Sequence, residues 1–140
     1  MWIWFKHLTA RGAPHNNPRV TASPLLLVVD DDVDIAQTLG LCLKAEGYRV
    51  LLARNGREAL DALAPEAPSA ILLDLMMPVM DGWQFAHELR VRGHRTPLLV
   101  LSADHAVDRH AGALAAQAHL AKPFDLDELL SKVRLLVGAP

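Results

Sequence analysis

Ala70-Ile71-Leu72-Leu73-Asp74-Leu75-Met76-Met77-Pro78-Val79-Met80-Asp81-Gly82 begins with four apolar residues and then breaks at an aspartate. A short apolar run bounded by turn residues reads as a buried strand. Asp74 therefore stands at the carboxyl end of that strand, facing a loop. In open α/β sheets this edge is where ligands bind. Two further signals belong to the same edge. Asp30-Asp31-Asp32 closes the run Leu25-Leu26-Leu27-Val28-Val29, and Lys122-Pro123-Phe124 follows His119-Leu120-Ala121. An acidic cluster, a lone aspartate and a lysine, each ending its own strand, describe a site that holds a divalent cation and accepts a phosphoryl group.

Outward from these runs, strands and helices alternate. Leu25–Val29, Tyr48–Ala53, Ala70–Asp74, Leu98–Leu101 and His119–Ala121 read as strands. Val33–Glu46 carries Ile35, Leu39 and Leu43 at a four-residue spacing, as one helix face does. Gly47 ends it. Asn55-Gly56 marks a turn before a short helix over Arg57–Leu63. Trp83–Val91 places Phe85, Ala86 and Leu89 on one face, and Asp104–Ala118 reads as an alanine-rich helix. The last helix, Leu126–Val137, aligns Leu126, Leu129, Leu130, Val133, Leu136 and Val137. Alternating strands and helices predict an α/β fold, a doubly wound parallel sheet of five strands with helices on both faces. Apolar strands without alternation fit burial on two sides.

The 140 residues suit one domain. That domain is predicted over residues 24–138, after an N-terminal extension. Residues 1–23 show no helical or strand period and are expected to be a disordered arm. The sharper alternative is that Trp2, Trp4 and Phe5 anchor a partner, a second subunit or a membrane surface. The formal charge is −2 with no basic stripe, which argues against direct nucleic-acid binding. The single cysteine, Cys42, excludes an internal disulfide and suits a reducing compartment. It is expected to pack on its helix as a small hydrophobe. No apolar stretch approaches the roughly 20 residues that a membrane span needs. Met1–Phe5 is too short for a signal-peptide core, so the chain is expected to be cytoplasmic. The remaining histidines, with no i, i+4 pair, read as surface residues.

Adjacent carboxylates repel, and burial pushes at least one of their pKa values up. A hard cation relieves that repulsion. Magnesium prefers oxygen ligands in octahedral geometry and usually keeps several waters. Asp31 and Asp74 are candidate ligands, with a backbone carbonyl just past Asp74 adding another. The plainer reading is that Asp30–Asp32 cap the next helix. One aspartate suffices for that, and three exceed it. A carboxylate can itself attack phosphorus and form an acyl phosphate. Charge on the transferred group then needs cations and donors. Lys122 and the Ser102 hydroxyl, each near a strand end, are candidates.

Val28-Val29-Asp30-Asp31-Asp32, the segment Asp74–Gly82, Leu101-Ser102-Ala103 and Ala121-Lys122-Pro123-Phe124 together resemble the receiver domain of two-component response regulators. The resemblance covers about residues 24–138, with the motifs in the family's order and spacing. It implies a flavodoxin-like (βα)5 fold with strand order 2-1-3-4-5; a chemotaxis regulator of this family is an established example of that order. It implies that Asp74 is the phosphoacceptor. Asp31 would bind Mg2+ directly, Asp30 mainly through water, and Met76 through its backbone carbonyl. Ser102 and Lys122 would contact the phosphoryl oxygens, and the Lys122–Pro123 bond is expected to be cis. The donor would be a phosphohistidine on a sensor histidine kinase or a histidine phosphotransfer protein.

The switch pair of the family would be Ser102 and an aromatic residue three positions before the lysine. Here that position is His119, a departure from the usual tyrosine or phenylalanine. A histidine can rotate between inward and outward positions, and its charge would make switching pH-sensitive; the bland alternative is a half-exposed strand histidine. The segment Asp104–Ala118 is shorter than usual and lacks the usual glycine before strand five. Apolar Met76, two after the acceptor, should position an attacking water poorly, which predicts slow-to-moderate self-dephosphorylation.

A receiver with no output domain would act as a single-domain regulator, signalling to an unknown downstream partner. Its predicted fourth helix, fifth strand and fifth helix would form the output face, which is also where receiver homodimers often form. Such a protein is not an enzyme beyond its own phosphorylation and dephosphorylation. Two alternatives stand beside it. One is a phosphorylation-independent docking module. The other is a haloacid-dehalogenase-like phosphatase using Asp30 and Asp32, which that family follows with a threonine or valine where Asp34 stands here.

Overall fold

The computed structural model describes residues 23–103 and 116–140. The N-terminal extension up to residue 22 and residues 104–115 of the alanine-rich segment lie outside the described residues. Five parallel strands, β1 (Leu25–Val29), β2 (Arg49–Ala53), β3 (Ala70–Asp74), β4 (Leu98–Ser102) and β5 (Ala118–Ala121), form one sheet in the order β2-β1-β3-β4-β5. Four helices are described: α1 (Val33–Ala45), α2 (Gly56–Ala62), α3 (Gly82–Val91) and α4 (Leu126–Val137). The predicted fold class and strand order are both present.

Side chains alternate across each strand, and that alternation splits the core into two layers. Leu26, Val28, Leu72, Leu99 and Leu101 meet Ala36, Leu39 and Leu43 of α1 and Leu129, Leu130 and Val133 of α4. Leu27, Val29, Ile71, Leu73, Leu98 and Val100 meet Ala59 and Leu60 of α2 and Phe85, Ala86 and Leu89 of α3. Strands β1, β3 and β4 are buried along their whole length, as their unbroken apolar runs predicted.

The edge strands depart from that expectation. Leu51 and Leu52 of β2 are exposed, because an edge strand pairs on one side only. Tyr48, predicted as strand, is buried just ahead of β2. Leu126, predicted on the buried face of α4, is exposed; it is the first residue of the helix, ahead of sheet-packed Leu129. Ala118 is strand rather than helix. It pairs with Leu99, and Gln117 N–H donates to the Leu98 carbonyl at 3.1 Å, so the β4 ladder claims backbone that the alanine composition assigned to a helix.

Local chemistry sets the helix starts. Asp32 accepts from Ile35 N–H at 3.1 Å, Asn55 from Glu58 N–H at 2.9 Å, and Asp81 from Gln84 N–H at 2.9 Å. Gln84 returns the bond to Asp81 N–H at 3.1 Å, closing a capping box. Gly47 follows α1 at φ 106°, a conformation that glycine adopts without steric cost. At the amino edge of the sheet, Arg49 Nε donates to the Ser23 carbonyl at 2.9 Å and the Tyr48 hydroxyl donates to the Gly138 carbonyl at 2.8 Å.

Candidate functional site

The carboxyl ends of β1, β3 and β4 and the loop after β5 converge on one edge. Asp30 follows β1 directly and is 1% exposed. Its backbone N–H donates to the Ala53 carbonyl at 3.1 Å, and its Oδ1 accepts from Asp32 N–H at 2.9 Å. Asp31 is exposed, and Asp32 is spent on capping α1. Capping thus takes one residue of the acidic run, Asp32, and leaves Asp30 and Asp31 outside the cap. Asp74 ends β3, is buried, and accepts from Met76 N–H at 3.2 Å through Oδ1. One carboxylate oxygen from each of Asp30, Asp31 and Asp74 lies within 4.8 Å of the others.

Lys122 closes the cluster. Its Nζ lies 3.1 Å from Asp30 Oδ2 and 3.7 Å from Asp74 Oδ2. Backbone bonds hold it there: Lys122 N–H donates to the Ser102 carbonyl at 2.8 Å, and Leu75 N–H to the Leu101 carbonyl at 3.4 Å. The Lys122–Pro123 peptide is cis, as expected. Ser102 is fully buried at the end of β4. Burial pushes the Asp74 carboxyl up to about 6, with Asp30 and Asp31 adding to the rise. The Lys122 ammonium and the Met76 N–H oppose it. A carboxylate costly to ionise amid two others is a group that a divalent cation stabilises. Three hard oxygen donors fit magnesium chemistry better than that of a softer metal.

The switch candidates share a face. Val100 pairs with His119 and Ser102 with Ala121, so His119 sits on the same side of the sheet as Ser102 and one register step below it. His119 is half-buried. Met76 joins the site through its backbone, while its side chain is exposed.

Three features escaped sequence reasoning. Lys122 pairs with Asp30 as well as facing Asp74. Val79 has φ 68°, inside a tight turn in which Met80 N–H donates to the Pro78 carbonyl at 2.7 Å. A groove of about 560 Å³, lined by Ile35, Thr38, Leu39, Ala103, Lys122, Pro123 and Phe124 among others, runs from the site between α1 and the start of α4. It joins α1 to residues after β5 that lie far from it in the chain, so no local spacing announced it. Cys42 is half-buried on α1.

The family model for the response regulator receiver domain matches residues 26–134. The chain belongs to the response regulator receiver domain family. The receiver is 45% identical over 114 residues to the response regulator MprA of Mycolicibacterium vanbaalenii, covering 80% of this chain and 49% of that protein. MprA of Mycobacterium avium is 44% identical over 80% of this chain and 50% of its own. The chain thus spans about half the length of the curated relatives it matches. Among solved structures, the receiver domain of the Francisella response regulator 1452 superposes with TM-score 0.77 at 32% identity, over 82% of this chain and 97% of its own. Thermotoga maritima TrrA, solved in complex with Mg(2+)-BeF, gives TM-score 0.73 at 33% identity, over 81% of this chain and 98% of its own. Phosphorylation-based two-component signalling is the general function of this family, which is not a class of enzymes in the usual sense. The family assignment goes against the haloacid-dehalogenase alternative. Among the described residues of the receiver, no helix is long and apolar enough to cross a membrane.

Proposed function

We propose that the chain is a magnesium-dependent phosphoryl switch in which Asp74 takes the phosphoryl group from a phosphohistidine of a sensor histidine kinase or histidine phosphotransfer protein. The observation that carries this reading is the carboxylate triad Asp30, Asp31 and Asp74 with Lys122 set against two of its members. An Asp74 carboxylate oxygen attacks phosphorus, the P–N bond to the donor imidazole breaks with its electron pair staying on nitrogen, and an acyl phosphate remains. Asp31, Asp74 and the Met76 carbonyl would hold Mg2+, with Asp30 reaching it through water, and that ion would supply charge neutralisation for the phosphoryl oxygens and the triad. Lys122 shifts its contact from the carboxylates to a phosphoryl oxygen, and the Ser102 hydroxyl donates to another. The donor protein seats its apolar surface in the groove beside Lys122, which continues directly from the site.

The output follows from the shared face of Ser102 and His119. Movement of Ser102 toward the new phosphoryl group opens space one register step away, and His119 turns into it. That changes the surface beside β5 and α4, where Leu135 is exposed and available to a downstream protein partner.

Incubation with Mg2+ and acetyl phosphate, read by intact mass spectrometry, tests the reading. One added phosphoryl group is expected on the wild type and none on Asp74→Asn. No addition, together with no binding of beryllofluoride, would overturn it and leave the phosphorylation-independent docking module in first place. Stoichiometric rather than catalytic use of acetyl phosphate separates the switch from a phosphatase.

A further inference from the structure

Three of the chain's four methionines fall within five residues beside the acceptor, and their environments differ. Met77 is 8% exposed and packs in the core against α2 and α3. Met80 is partly buried against the same layer. Met76 is 70% exposed, although its backbone N–H is bonded to Asp74 Oδ1 at 3.2 Å. One thioether therefore stands open to solvent, tethered by its own backbone to the carboxylate that takes the phosphoryl group.

We infer that Met76 is a peroxide-sensitive modification site whose sulfoxide shortens the life of the phosphoryl group on Asp74. The lifetime half of this inference rests on the phosphoacceptor reading above; the selectivity of oxidation does not. In the reaction the thioether sulfur attacks one oxygen of hydrogen peroxide, the O–O bond breaks and an S–O bond forms. The second oxygen leaves as water after proton transfer, so sulfur is oxidised by two electrons and peroxide is reduced. The product replaces a flexible apolar side chain with a polar, chiral one. An unmodified thioether is a weak acceptor and holds no water in place. A sulfoxide oxygen accepts hydrogen bonds strongly. Tethered two residues from Asp74, it can orient a water for attack on the acyl phosphate. Oxidation then turns a slowly hydrolysing phosphoprotein into a faster one.

The test uses the full chain. Graded hydrogen peroxide followed by peptide mapping is expected to oxidise Met76 at least fivefold faster than Met77 and Met80. The protein is then labelled with Mg2+ and acetyl phosphate, and decay of the label is followed by intact mass. Peroxide treatment is expected to shorten the half-life at least threefold. Met76→Leu, which keeps Cys42 and every other methionine, is expected to lose that response, and Met76→Gln to decay faster than Met76→Leu without peroxide. Equal oxidation of the three methionines overturns the inference. So does an unchanged half-life with Met76 fully oxidised, or a response that persists in Met76→Leu. Failure of the untreated protein to take any label overturns the phosphoacceptor reading, and the lifetime effect falls with it; labelled protein whose decay ignores Met76 oxidation overturns this inference alone.

Discussion

Val79 is a β-branched residue at φ 68°, a region that glycine and asparagine enter far more readily. Its side chain is 80% exposed, so little core burial offsets the strain. Replacing it by glycine relieves the clash of Cβ with its own backbone but adds chain entropy to the unfolded state. Val79→Gly is therefore expected to raise stability by about 1 kcal/mol, seen as a higher urea midpoint with an unchanged slope. A lower midpoint would mean that the valine makes contacts worth more than the strain. Nothing in the sequence announced this turn, because Pro78 and Asp81-Gly82 signal a loop without fixing which residue takes the unusual dihedral. Asp74, Asp30 and Lys122 were legible for the opposite reason: each ends an apolar run, and parallel strands bring all such ends to one edge. The Lys122–Asp30 pair was not legible, since it joins residues 92 positions apart through the sheet.

Helix α3 begins against β3, the strand that ends in Asp74. Gly82 N–H donates to the Leu75 carbonyl at 3.0 Å, and a Cβ on Gly82 would lie 2.7 Å from the Asp74 carbonyl oxygen and 2.7 Å from Leu75 Cα. Both obstacles are backbone, so no side-chain rotation clears the way. Gly82→Ala should cost about 2 kcal/mol, within the range for overpacking. It should also slow acetyl phosphate labelling, because the backbone forced to yield carries Asp74. A variant with wild-type stability and wild-type labelling would show that α3 can back away freely. The four described helices were largely readable from spacing and turn residues, with starts off by a residue or so. Where reading failed, burial pattern and composition pointed the wrong way. Strand β2 is as apolar as its neighbours yet half-exposed at the edge, and Ala116–Ala118 is alanine-rich yet not helical.

Across the whole molecule, the cost of burying the Asp74 carboxyl couples folding to pH. The native Asp74 carboxyl titrates near 6, above its ordinary 3.8, so between those values the folded state holds a proton that the unfolded state has lost. Stability attributable to this group therefore falls as pH rises through that window and stays low above it. In metal-free buffer, Asp74→Asn is expected to be more stable than wild type at pH 8 by about 2 kcal/mol. The difference should shrink as pH drops from about 6 toward 4. Magnesium should narrow it at pH 8 by binding the wild-type triad. Paired denaturant titrations at several pH values, with and without Mg2+, read all of this. A gap that is the same at pH 4 and pH 8 would remove the linkage.

The bonds at the amino edge of the sheet have a further consequence. Ser23 and Gly138 are held by the neighbouring residues Arg49 and Tyr48, so the points where the chain enters β1 and leaves α4 lie side by side, at the far end of the strands from Asp74. Entry and exit at one point make the unit a cassette. It can be spliced into a surface loop of a host protein without stretching either chain, with the Asp74 edge left at the opposite pole.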